Sequence, residues 1–455
     1  MNRTRQKRVF SVRALQAFAL TVAMAGTALA QDKTIRVWHT ETNPASQAAV
    51  AEIIKRFEAQ KPGVKVVAEA LAWNDLEGKI MAALASGSPP ELSHGQPITC
   101  AALSSQGLLA PLNDVVKAIP ESNLWERNKK ICTDAKGDYY GLVHASGTSL
   151  LIYRKDLAAK KNLAAPKTWD DMVKVAEALT IDENGDGKPE VYGLTMPGDN
   201  LFINILVGEM IAANGGKLFD EKNRPLFQSK QMAELLQYWQ RLAKFMPPGW
   251  EGHGYLDTFG NLYGQKAAMM YAGYGRGASL IEQYAPEKMR NTDTFDVWLK
   301  PHGPSGKETA AQVDEETWML FKDSANKELA KEFLAFFYKD ENYIEYIKSV
   351  PIHFFPITKS LRKSSAYADI PMVKRWGSWL TAQEQYFEYD RAKPTLTVDW
   401  TDLGNKPFLM QILGSGVIRD MVLDVAVEKQ PIEQATKRAQ QRAEEIIKQS
   451  GQAKW

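Results

Sequence analysis

Between residues 34 and 73 a strand, a helix and a second strand follow one another, and that order restricts the chain more than any other feature. Residues 34–40 (TIRVWHT) read as a short buried strand. Asn43 then offers an N-cap and Pro44 suits the first helical position. Val50, Ile53, Ile54 and Phe57 recur at helical spacing until Pro62-Gly63 stops the helix. Residues 64–73 (VKVVAEALAW) read as the next strand. Such alternation argues for an open α/β sheet with helices packed on it. Ligands gather beyond the carboxyl ends of strands in sheets of that kind. His39, Thr40 and Glu41 lie at the first such end and Trp73 at the second.

The pattern returns later. Residues 141–157 (GLVHASGTSLLIYRKDL) contain a strand that enters a new unit, and Thr168 with Asp171 forms a capping box for the helix WDDMVKVAEAL. Trp169 and Trp239 fall inside helical patterns and read as core. Residues 267–275 (AAMMYAGYG) read as a buried strand running into a glycine-rich loop, and 317–323 (TWMLFKD) as another, followed by the helix NKELAKEFLAFFY. The last third is largely helical, ending in PIEQATKRAQQRAEEIIKQ. Two α/β lobes with more than one chain crossing between them are expected.

Residues 1–30 hold Arg3, Arg5, Lys7, Arg8 and Arg13 without an acid, then an apolar run from Ala14 to Ala25, then Ala28-Leu29-Ala30. This is the plan of a cleavable signal peptide, with an apolar part too short to span a bilayer. Export to the periplasm is expected, with the mature chain starting near Gln31. The formal charge of the whole chain is +2, so removal of the basic leader leaves a slightly negative protein. Nothing in that balance favours nucleic acid or an anionic membrane surface. The remaining length is too great for one compact core and suits two domains.

Cys100 and Cys132 are the two cysteines. In an oxidising compartment they suit a disulfide, with two buried thiols as the alternative. Residues 182–190 (DENGDGKPE) place Asp182, Asn184, Asp186, Gly187 and Glu190 at positions 1, 3, 5, 6 and 9 of a calcium loop. Position 12 is Gly193 instead of a glutamate, so a structural calcium would need a carboxylate from elsewhere. A polar turn without an ion is the other reading. No other cofactor is expected. There is no G-x-S-x-G, H-E-x-x-H or Walker loop.

Several segments resemble the extracellular solute-binding proteins of the maltose-binding type, the receptors of bacterial ABC importers. They are NKELAKEFL (326–334), YRKDL with PKTWDDMVKVAEAL (153–179), IAANGGKLF (211–219) and PITKS (356–360). The resemblance covers essentially the whole mature chain. It implies the type II periplasmic binding protein fold, an α/β architecture of two lobes joined by a multi-strand hinge. The lobes would be 31–144 plus 314–353 and 145–313 plus 354–455, with crossings near Val143–Gly147, Val313–Trp318 and Phe354–Ile357. It implies capture of a small solute in the interlobe cleft and delivery to membrane permease subunits by a monomer, without chemistry on the solute.

A sugar site needs planar polar groups and aromatic faces together. On the family's pattern Trp73, Tyr274 and Trp400 are placed to stack on a sugar ring, with ordinary packing as the alternative. His39, Thr40, Glu41, Ser146, Thr148 and Phe354 are placed beside hydroxyls, and Gly273 and Gly275 where backbone comes close. Asp314 and Glu315 suit hydroxyl-rich or cationic solutes; Asp199 and Phe202 complete the set. A sugar, glycoside or related polyol is the expected ligand. A glycerol-phosphate diester, which the acidic run 314–316 would repel, and a polyamine are the alternatives; a secreted glycosidase is the enzyme rival.

Overall fold

The computed structural model describes residues 33–119, 121–125, 128–129, 131–134, 136–387, 395–398 and 408–455. The leader and Trp400 lie outside the described residues. The described strands are β1 (Lys33–His39), β2 (Val64–Ala70), β3 (Leu92–Gly95), β4 (Gly141–Thr148), β5 (Leu150–Arg154), β6 (Met269–Gly273), β7 (Phe295–Trp298), β8 (Thr309–Leu320) and β9 (Thr395–Val398).

They form two sheets. The larger runs β2-β1-β3-β8-β4, with β9 also paired to β8. Its β2, β1 and β3 are parallel, whereas β8 lies antiparallel between β3 and β4. The smaller runs β6-β5-β7 and is antiparallel. Only Ser149 separates β4 from β5, yet the two belong to different sheets, so the chain passes from one to the other there. The long β8 returns: Thr309–Gln312 pair with β9, Val313–Met319 with β4 and Thr317–Leu320 with β3. A third segment joins them where the Phe355 N–H donates to the Ser146 carbonyl at 2.8 Å.

There are two cores, and the smaller sheet lends one face to each: Leu150, Ile152, Met270 and Phe295 belong to the first, Leu151, Tyr153, Met269 and Tyr271 to the second. Around the larger sheet, Ile35, Val37, Ile53, Phe57, Trp318, Phe333 and Phe337 are buried together, and Tyr367, Trp376, Trp379 and Tyr386 join the same cluster. The second gathers Trp169, Met172, Leu206, Leu235, Trp239, Met269, Ile418 and Val422. Burying each large apolar side chain contributes about 1.5–3 kcal/mol, which makes the helix stripes read from sequence the main support of both. Val50, Ile53, Ile54 and Phe57 are the buried face of helix Pro44–Gln60, whose Asn43 cap accepts from the Ser46 amide at 2.9 Å. Thr168 and Asp171 exchange the bonds of a capping box.

Two elements differ from the sequence reading. The second strand ends at Ala70, and Trp73 begins a helix, Trp73–Ala85. The strand expected at 317–323 begins eight residues earlier and carries the acidic run along its length. Cys100, on helix Pro97–Ser105, is joined by a disulfide to Cys132 ahead of β4. A Cβ at Gly141 would lie 2.6 Å from Cys100 Sγ, so the close passage of β4 over the disulfide requires glycine there. Among the described residues no helix is long and apolar enough to cross a membrane.

Candidate functional site

The carboxyl end of β1 delivers His39, Thr40 and Glu41 to the place where the chain crosses between sheets. β3 brings His94, β4 brings His144, β8 brings Asp314, Glu315 and Glu316, and the third crossing brings His353 and Phe354. From the other sheet, the helix Arg276–Tyr284 after β6 presents Arg276. Arg276 Nη2 lies 3.6 Å from Glu41 Oε1, and its guanidinium stands 5.8 Å from the Phe354 ring centre. The Glu316 carboxylate sits between two imidazoles, Oε2 being 3.8 Å from His144 Nε2 and Oε1 3.9 Å from His353 Nε2. Tyr346 bonds His144 Nδ1 and stacks on Phe354.

Burial sets the charge states. It pulls His39 down to about 4 and His94, His144 and His353 well below the usual imidazole range, so all four are neutral near pH 7. Burial pushes Glu316 well up, with the carboxylates of Glu41 and Asp314 adding to the effect and Arg276 opposing it. For Arg276 burial acts downward, but the Glu41 and Glu316 carboxylates outweigh it and hold the guanidinium above its usual value.

Two groups of potential metal ligands occur here, His94 with His144 and Glu316, and Asp314 with Glu316 and His353. The Thr40 amide donates to His94 Nδ1 at 3.2 Å, which puts the His94 proton on Nε2 and leaves no lone pair there for a metal. The second group is faced by Arg276, which repels a cation. The arrangement is one of hydrogen-bond donors and acceptors. In the 182–190 loop, Asp182 accepts from the Gly185 and Gly187 amides, Asn184 from Asp186, Asp186 from Lys188 and Glu190 from Glu183 and Asn184. Those oxygens serve the loop's own amides, as in an Asx turn.

An aromatic wall adjoins the polar array. Tyr274, just after β6, is buried and donates its hydroxyl to the Gln312 side-chain carbonyl. The Gln312 main-chain N–H donates to Glu209 Oε1 at 2.8 Å, and Glu209 pairs with buried Lys300 at 2.5 Å. Tyr255 meets Tyr274 edge-on at 6.0 Å and stacks on Phe202 at 4.7 Å. Asp199 is the N-cap of helix Asn200–Ala213, accepting from the Phe202 amide at 3.0 Å, so it orients Phe202. Trp73 heads its helix, half-buried against the first core.

Other expected residues serve the crossing itself. Asn128 donates to Ser146 Oγ at 3.2 Å and to Glu315 Oε1 at 3.0 Å, and the Thr148 amide donates to Gln383 Oε1. A Cβ at Gly273 would lie 2.4 Å from Ile152, and one at Gly275 2.4 Å from the Ile352 carbonyl, so both glycines permit protein packing. The sequence reading did not single out His94, His144, His353, Arg276, Glu316 or Tyr255 as site residues. The one available signal was position, since the first two histidines, like His39, stand in or at the end of an apolar strand.

Comparison with known proteins agrees with this architecture. The sequence model of bacterial extracellular solute-binding proteins matches residues 52–374. A putative ABC transporter periplasmic-binding protein of Escherichia coli K12, YcjN, is 23% identical over 91% of this chain and 93% of its own. Among solved structures, a maltose-bound Thermotoga maritima MalE3 superposes with a TM-score of 0.72 at 18% identity, covering 91% of this chain and 99% of that one. An ABC transporter solute-binding protein of Thermotoga lettingae bound with α-D-tagatose gives 0.71 at 20% identity, over 91% and 100%. The fold is that of type II periplasmic binding proteins, two α/β lobes joined by a multi-strand hinge.

Proposed function

We propose that this chain, which belongs to the bacterial extracellular solute-binding protein family, captures a sugar, glycoside or related polyol between its lobes and delivers it to the permease of an ABC importer. The division at 31–144 plus 314–353 and 145–313 plus 354–455 is part of this reading, as are removal of the leader and work in the periplasm. The observation that carries it is the approach of Arg276 to Glu41 from opposite sheets beside the Phe202–Tyr255–Tyr274 wall. Charged groups fixed by burial offer strong hydrogen bonds to hydroxyls, and ring faces match the C–H faces of a sugar. Relatives of the same fold that hold maltose and tagatose support the class. Binding needs no cofactor, and the solute leaves unaltered.

Thermal unfolding against a panel of sugars, polyols, polyamines and glycerol-phosphate diesters tests this. A ligand at a hundred times its Kd adds about 2.7 kcal/mol of stability. Stabilisation by a sugar or polyol that is recovered intact is expected. Stabilisation by polyamines or phosphodiesters alone, or turnover of the ligand, overturns the proposal.

A further inference from the structure

Ile352 stands immediately before the third crossing with φ +76°, the left-handed region that a β-branched side chain avoids. Among the described residues no other β-branched side chain has a positive φ. Such a conformation persists only where its surroundings hold it. Three contacts do so. Gln383 Nε2 donates to the Ile352 carbonyl at 2.7 Å, Gly275 leaves room for that carbonyl, and the Phe354 amide donates to Val350 at 3.0 Å. Gln383 is fully buried on helix Gly377–Phe387, and its Oε1 accepts from the Thr148 amide at 3.2 Å. One side-chain amide therefore fastens the end of the first crossing to the start of the third. Its orientation is fixed by its partners, since the Thr148 N–H can only donate and the Ile352 carbonyl can only accept.

We infer that Gln383 is a positioning residue for solute capture, a latch that keeps Ile352 in its strained backbone state and so sets the angle of the crossing that carries His353 and Phe354. Strain at a pivot, held in part by one breakable side-chain amide, gives the hinge two discrete arrangements instead of a continuous bend. With the latch closed, Arg276 lies over Phe354 and reaches Glu41. When it opens, Ile352 relaxes to an ordinary conformation and the third crossing leaves the site. The functional part of this inference rests on the capture reading; the coupling between Gln383 and Ile352 does not.

The test is a double-mutant cycle on the full mature chain with Q383M and I352G, because glycine adopts the left-handed state without strain. Binding is read by calorimetry with the stabilising sugar from the panel. Amide hydrogen exchange of residues 350–356 in the ligand-free protein is read in parallel. Q383M is expected to raise Kd at least tenfold and exchange by a similar factor, I352G to stay within threefold of the parent, and the double variant to return to within threefold. Equal losses in Q383M and the double variant, or no loss in either, overturn the latch. If Q383M does not fold, a folded double variant supports it and an unfolded one overturns it. If no sugar binds, the capture reading fails while the exchange coupling still decides the latch.

Discussion

Arg276 Nη2 and Glu41 Oε1 lie 3.6 Å apart and join the helix after β6 to the loop after β1, two elements that belong to different sheets. Glu41 is buried, and Arg276 keeps a quarter of its side chain exposed. Removing the cation leaves a buried carboxylate without its partner, a loss that costs 3–5 kcal/mol for fully enclosed pairs. For this half-open pair Arg276→Met should cost about 2 kcal/mol in denaturant unfolding, and weaken solute binding as well. E41Q/R276M should recover most of the stability but not the affinity. Recovery of both would place the pair outside the solute site.

The aromatic wall makes separable predictions for ring and hydroxyl. Tyr274→Ala removes the ring between Tyr255 and His353 and should raise Kd more than tenfold, about 1.4 kcal/mol. Tyr274→Phe keeps the ring and loses the hydroxyl that bonds Gln312, and should change affinity less than threefold. Trp73→Ala tests the helix that follows β2. Calorimetry with a stabilising sugar reads all three, and unchanged Kd for both alanine variants would remove these rings from the site.

Local signals in the sequence located the elements well where one face is apolar. Asn43, Thr168 and the stripe of Val50, Ile53, Ile54 and Phe57 are short-range features, and the structure repeats them. The length of β8 was not legible, because Asp314, Glu315 and Glu316 interrupt its apolar pattern and are housed only by polar partners from other elements. Trp73 was read into a strand because ALAW continues the apolar run, whereas Ala72 caps the helix with no side-chain bond to announce it. The histidines were invisible as a group, since His39, His94, His144 and His353 come from four segments brought together by sheet order alone.

The disulfide ties helix Pro97–Ser105 to the segment that leads into β4 across 32 residues of sequence. Closing a loop of that length in the unfolded chain is worth about 3–4 kcal/mol. C100A/C132A should lower stability by that amount in denaturant unfolding while leaving solute Kd within about twofold, because the bridge lies against Gly141 at the start of β4. A large affinity loss in the folded variant would mean that the bridge also sets the crossing angle.

Acid should unfold this protein more steeply than its surface charges would. His39, His94, His144 and His353 are buried with lowered pKa, His39 near 4. Below about pH 6.5 the unfolded chain takes up these protons and the folded one does not, so stability falls as pH falls through that window. Each group contributes up to about 1.4 kcal/mol per pH unit. Glu316 acts in the opposite sense, since its raised pKa lets the folded state hold a proton that the unfolded state has lost. The net slope should approach about 4 kcal/mol per pH unit near pH 5.5, read from urea unfolding at pH 7.5, 6.5, 5.5 and 5.0. His39→Gln should lower that slope by about 1.4. A flat profile over this range would mean that the four imidazoles take up protons as readily in the folded protein as in the unfolded chain, and the neutral array drawn around Glu316 would then be wrong.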